Sequence, residues 1–286
     1  MTVNLLLQSG LVGINLAAIY ALMALGLTLM FGILGIVNMA HGVLYMVGAY
    51  GMYYLYHLLG LNFYLAMLAT IITLGLIGLL MERIFYRPVG GQFAPFIAIT
   101  LGLLILFEAG GYLVFGYEPR GVTAPVAGVS TILGVGMSNY RLVVILIAAI
   151  LVGGLYYLIH RTKTGRNMRA VEEDRIAAAL QGVNADRTNA ITFALGVALA
   201  AAAGALIAPL YAIIPPMGGM PLLKAFMVIV LGGMGSIPGV ILGAIAIGLA
   251  DSLLAATVGI ELAYIFAWFI IIVLLIFRPR GLLGAY

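Results

Sequence analysis

Long apolar runs punctuated by short polar breaks set the pattern of this chain. Taken as helices, the runs give candidate spans at about 5–30, 42–59, 63–82, 93–115, 140–160, 189–212, 222–236, 238–256 and 261–277. No Asp, Glu, Lys or Arg occurs from Met1 to Met81. The stretch 5–37 would be about 50 Å long as one helix, against a hydrocarbon core of about 30 Å, so it must tilt, protrude or break. The break is expected at Gly32–Gly42, where Gly35, Asn38, His41 and Gly42 interrupt the apolar run. Irregular backbone at membrane depth is tolerated only where protein covers it or where it lines a wet cavity. A second interruption, Gly232-Gly-Met-Gly-Ser-Ile-Pro-Gly239, lies near the other end of the chain. Paired Gly/Pro-interrupted segments point to a transport site. A tight helix–helix turn explains the second one equally well.

Composition sharpens this picture. Of 286 residues, 65% are hydrophobic and 8% charged, against about 25% charged in soluble domains. The chain is therefore expected to be all-α, a single polytopic transmembrane bundle over residues 1–286 with about eight to ten membrane segments, some broken or re-entrant. The 38 glycines suit close helix approach in lipid. There is no cysteine, hence no thiolate chemistry and no Cys metal site. The N-terminus lacks a basic segment and reads as the first span rather than a signal peptide.

Charge then gives orientation. Ten of the 13 Lys and Arg fall in three loops: Arg83 and Arg87; Arg161, Lys163, Arg166, Arg169, Arg175 and Arg187; Arg278 and Arg280. The positive-inside rule places these loops in the cytoplasm and the N-terminus outside. Nine crossings satisfy that arrangement, and so does a re-entrant hairpin over 222–256. The net charge of +4 belongs to loops facing a membrane surface and does not indicate nucleic acid.

The loop 161–188 is the main polar segment. From Asn167 to Gln181 it holds helix formers without Gly or Pro, and Gly182 follows as a C-cap. Met168, Val171, Ala178 and Ala179 fall roughly on one face. Such a helix either docks on a soluble partner or is a solvated loop that sets topology. Its sequence Glu173-Asp-Arg-Ile-Ala-Ala-Ala-Leu-Gln-Gly-Val-Asn resembles the coupling segment of ABC importer permeases, and specifically of branched-chain amino acid permeases. Two further stretches carry the same resemblance: Gly26-Leu-Thr-Leu-Met-Phe-Gly-Ile-Leu-Gly-Ile-Val-Asn-Met-Ala-His-Gly42, and Leu223-Lys-Ala-Phe226 with Leu231-Gly-Gly-Met-Gly-Ser-Ile-Pro-Gly239 and Gly243. The ending Arg278-Pro-Arg-Gly-Leu-Leu is also similar to the family. Val43 departs from it, since many relatives carry a polar residue there.

The resemblance implies a permease subunit of the bacterial inner membrane working by alternating access. A coupling helix, with Arg169, Glu172, Glu173, Arg175, Ala177 and Gly182 on or beside it, would seat in a cytoplasmic ATPase that binds ATP and Mg. A second, related permease and a periplasmic binding protein complete the implied assembly. Asn38, His41, Gly35, Gly42, Gly232, Gly233 and Ser236 are the candidate pathway residues. Asn38 and His41, spaced i, i+3, share a face if that piece is helical. They either meet passing polar groups or pin the broken backbone.

Glu108, mid-span in 93–115, is the feature that would suit a proton-coupled carrier or channel instead. Urea or short amides are an alternative cargo within the same class. Asp251 is placed by the turn before the final span, Lys224 at the outer interface, and Tyr45, Tyr50, Tyr53, Tyr54 and Tyr56 in an aromatic belt. No phosphate-binding loop, metal-spaced cluster or nucleophile–base pair occurs in the sequence. The chain is therefore not expected to be an enzyme or to hold a cofactor of its own.

Overall fold

Ten α-helices and one short hairpin make up the described part of the molecule. A computed structural model describes residues 3–35, 37–90, 92–132, 134–233 and 235–259, with three isolated positions between 262 and 269. The predicted span 261–277 lies outside the described residues, as do Arg278 and Arg280.

Helix α1 (Val3–Leu34) runs for 32 residues, about 48 Å, and ends at Gly35, whose φ of +67° reverses the chain at little steric cost. The chain returns along α1 before α2 (His41–Met52) begins, and α2 continues as a π-helical turn, Tyr53–Leu58. Next come α3 (Phe63–Met81), prolonged to Val89 by π and 3-10 turns, and α4 (Phe93–Phe115). A small antiparallel hairpin, β1 (Val129–Ile132) with β2 (Val135–Ser138), precedes α5 (Asn139–Arg161). Then follow α6 (Lys163–Glu173), α7 (Arg175–Leu180), α8 (Ala185–Ile207), α9 (Gly219–Gly232) and α10 (Ile237–Val258).

Helices α1 and α8 form the centre. α1 packs most closely on α10 and α8, and α8 also packs on α2 and α3. Small residues permit this. A Cβ on Gly26 would stand 2.7 Å from the Gly196 carbonyl, and the reverse is equally true. The two backbones therefore touch, as in other small-residue crossings in lipid. Around this centre, α3, α4 and α5 turn rows of exposed apolar side chains outward, among them Leu65, Leu68, Ile72, Leu76 and Leu80 on α3. Only lipid or another apolar chain covers such a surface without penalty.

Seven helices among the described residues are long and apolar enough to cross a membrane, slightly fewer than the eight to ten expected. Of the two expected spans not counted, 261–277 lies outside the described residues, and 42–59 differs for a physical reason. His41, at the start of α2, lies against Met23 and Gly26 of α1, and Gly26 meets Gly196, the midpoint of α8. α2 therefore starts inside the bundle. Tyr45 and Tyr50 face the core rather than an interface, and Tyr50 stacks on Phe115 at 3.8 Å.

Candidate functional site

Two features at opposite ends of the bundle define the site. The first is a cavity of about 570 Å³ running along α1 from Leu5 to Tyr20, about 22 Å of helix. Val12, Leu16 and Ile19 form one wall, with Tyr45, Ile207 and Met217 opposite. The first turns of α9 (Met220, Pro221, Lys224) and the end of α10 (Asp251, Ser252, Ala255) complete it.

At its inner end Lys224 Nζ meets Asp251 Oδ1 at 2.7 Å, and the Tyr20 hydroxyl donates to Asp251 Oδ2 at 3.0 Å. Lys224 is 3% exposed and Asp251 8%. Lys224 thus lies within the bundle rather than at an interface, and Asp251 lies inside α10 rather than in a turn. The sequence signal was present in opposite charges placed within two neighbouring apolar runs, the same signal that drew attention to Glu108. Intramembrane charges mark pathways or pairs by default. Glu108 itself is half-buried on α4 and does not line the cavity.

The seven candidate pathway residues fall into two groups, and none of them lines this cavity. Asn38, His41 and Gly42 sit at mid-bundle. Asn38 precedes α2 rather than lying on it, so the shared helical face is not formed. Its Oδ1 instead accepts the Ala40 N–H at 3.0 Å and the Tyr86 hydroxyl at 3.3 Å. His41 Nε2 lies 3.2 Å from the Met23 carbonyl. Gly42 lies against the Gly218 carbonyl at the start of α9, so two helix N-termini meet there, beside the cavity. Gly35, Gly232, Gly233 and Ser236 lie at the opposite end. Ser236 caps α10 by accepting the Gly239 N–H at 3.2 Å, and Gly233 adopts φ +101°.

That end carries the second feature. The segment expected as one helix from Asn167 to Gly182 is two. Asp174 leaves helical geometry (φ −154°, ψ 109°) and caps α7, its Oδ1 accepting the Ile176 and Ala177 N–H groups at 2.8 and 3.0 Å. An Asp that satisfies two orphan N–H groups competes well with continued helix. Gly182 closes α7 at φ +82° as anticipated, with the Val183 N–H donating to the Ala178 carbonyl.

Met168, Val171 and Ala178 are buried against the bundle, whereas Ala179 is exposed. Arg169 donates to the Ile159 carbonyl at the end of α5. Arg175 and Arg87 both reach Asp186, at 3.0 and 2.6 Å, tying α7 to α8 and to the extension of α3. Glu173 and Ala177 are exposed, as are Ile176 (75%) and Leu180 (82%).

Glu172 is exposed along its stem, but its carboxylate reaches inward. A Cβ on Gly32 would stand 2.6 Å from Glu172 Oε1, and one on Gly235 would stand 3.5 Å away. Glu172 therefore stands between the end of α1 and the α9–α10 turn, which joins the two interrupted segments. Partial withdrawal from water pushes its carboxyl pKa above the usual carboxylate range.

A helical bundle with a charged cavity at one end, two helix starts beside it and a polar helix pair packed on the other end has the architecture of a membrane permease. Residues 11–275 match the family model described as branched-chain amino acid transport system / permease component. The chain belongs to that family.

It is 34% identical to the high-affinity branched-chain amino acid transport system permease protein BraD of Pseudomonas aeruginosa, over 97% of this chain and 95% of the relative. It is 32% identical to the permease protein LivH of Escherichia coli, with the same coverage. It is 26% identical to the LivM permease protein of Escherichia coli, over 94% of this chain and 68% of the relative. The chain is thus a multi-pass membrane protein and a transport component rather than an enzyme.

Proposed function

We propose that this chain is a permease subunit of an ATP-driven importer for branched-chain amino acids, working by alternating access. The observation that carries the reading is the placement of the two features. The cavity lies at one end of the bundle, the α6–α7 pair lies at the other, and there Glu172 stands against both Gly32 of α1 and Gly235 of the α9–α10 turn. The α1 N-terminus and the cavity mouth face outward and the α6–α7 pair faces the cytoplasm, in line with the basic loops.

In this reading Ile176 and Leu180 seat in an apolar groove of an ATPase chain that binds ATP and Mg. A docked helix pushed during ATPase closure moves α6, and Glu172 transmits that motion to the end of α1 and the α9–α10 turn. A second, related permease lies alongside, and a periplasmic binding protein delivers cargo to the open mouth. On the α6 side α9 and α10 meet at backbone contact through Gly232 and Gly239.

Gentle detergent extraction from the native host, affinity capture and mass spectrometry test the assembly. Stoichiometric P-loop ATPases with a second permease are expected. Recovery of the folded chain alone would overturn the reading in favour of a self-sufficient carrier or channel.

A further inference from the structure

We infer that Lys224, Asp251 and Tyr20 form a binding site for the two charged groups of a zwitterionic amino acid, with Lys224 and the first turn of α9 holding the carboxylate and Asp251 with Tyr20 holding the ammonium. The inference rests on the amino acid cargo proposed above and gives it a location.

The cavity falls within the roughly 300–1,000 Å³ usual for small-ligand sites. Among the described lining residues, Lys224 and Asp251 are its charged members. Both are buried, and they sit side by side at its inner end. Val12, Leu16, Ile19, Ile207 and Met217 supply an apolar surface for a hydrocarbon side chain above them.

A buried ion pair is a poor way to stabilise a bundle, because well-packed apolar residues of similar volume serve as well or better. It is a suitable way to receive a zwitterion. The cargo exchanges the Lys224–Asp251 pair for two pairs, one to each side chain. An amine or a carboxylate alone would open the pair and offer a new counter-charge to only one of its two members. A neutral amide would open it and match neither. Discrimination by an unmatched buried charge is the repulsive half of specificity. The α9 N-terminus adds to the carboxylate side, since its first turn lines the same cavity and carries the positive end of the helix dipole.

The test uses the whole importer in proteoliposomes, this chain with its companion permease, ATPases and binding protein, and reads radiolabelled leucine uptake alongside ATP hydrolysis. Lys224→Met, Asp251→Asn and the apolar pair Lys224→Met/Asp251→Leu are compared with wild type. Each single variant is expected to lower uptake about ten- to a hundredfold, the loss of one charged hydrogen bond, and the apolar pair at least as much, while binding-protein-stimulated hydrolysis persists. Near-normal uptake by the apolar pair would show a structural strut and overturn the inference while leaving the cargo reading intact. Absence of leucine uptake by wild type would overturn the cargo reading itself.

A second measurement needs no change to the charges. The chain has no cysteine, so Ala255→Cys places a single thiol on the cavity wall one turn from Asp251. Leucine is expected to slow its reaction with a small methanethiosulfonate reagent. Isoamylamine and isocaproate, each carrying one charge, are expected not to. Equal protection by all three, or by none, overturns the inference even where the charge variants fail to assemble.

Discussion

Asn38 shows how one side chain secures irregular backbone within an apolar bundle. Its carbonyl oxygen satisfies the Ala40 N–H and the Tyr86 hydroxyl where the chain is neither helix nor strand. Asn38→Ala orphans both donors, and a buried unmatched donor costs about 1–3 kcal/mol. The variant should therefore melt several degrees below wild type in detergent, and an unchanged melting curve would refute this account.

Glu172 offers a pH test. Its folded-state carboxyl pKa is raised by desolvation, so the folded protein takes up its proton at a higher pH than the unfolded chain does. The ionised group opposes docking of α6 above that raised pKa, and the penalty fades as pH falls through it. Glu172→Gln should therefore melt higher than wild type at pH 8, with the gap narrowing toward pH 5. A gap independent of pH would mean the carboxylate stays fully hydrated.

At this scale the sequence drew attention to Asn38 and His41 because polar groups stand out in apolar runs, and to Glu172 through the resemblance of its loop to a coupling segment. It undervalued Lys224 and Asp251, because their pairing across 27 residues exists only once α9 folds back against α10.

Among the elements, the α6–α7 pair illustrates a local competition that composition conceals. Residues 167–181 hold helix formers throughout, yet Asp174 gains more by capping two N–H groups than by continuing the helix. The break lets α6 lie on the bundle while α7 presents Ile176 and Leu180 outward. Ile176→Asp with Leu180→Asp removes the apolar contacts a partner groove would use and leaves the buried face intact. The double variant should insert normally and lose ATP-driven uptake, as should Glu173→Lys. Unchanged uptake would exclude α7 as the coupling contact.

The α1–α8 crossing is a different case. Glycine richness announced close packing, but which glycines meet depends on helix register. At Gly26 an added Cβ meets backbone, which cannot swing aside as a side chain would. Gly26→Val should cost about 1–3 kcal/mol or more by overpacking, read as lost folded yield in detergent.

The whole molecule separates the ATP-driven reading from a proton-driven one. Its layout places the charged cavity and the polar helix pair at opposite ends, with α1, α9 and α10 running between them. A proton-coupled carrier needs a titrating carboxylate where cargo or its gate can sense it. Glu108 does not meet that requirement, because it sits on α4 away from the lining of the cavity, on a helix that turns Leu101, Ile105 and Leu106 outward. Asp251 does line the cavity, but it is paired there with Lys224 at 2.7 Å.

Glu108→Gln should therefore leave accumulation of leucine within about twofold of wild type in the reconstituted importer, since no transition-state or cargo contact is lost. That accumulation should also resist a protonophore and stop without ATP. Collapse of uphill uptake in a normally inserted Glu108→Gln protein, or collapse of wild-type uptake on adding the protonophore, would move the energy source from a partner ATPase to the proton gradient.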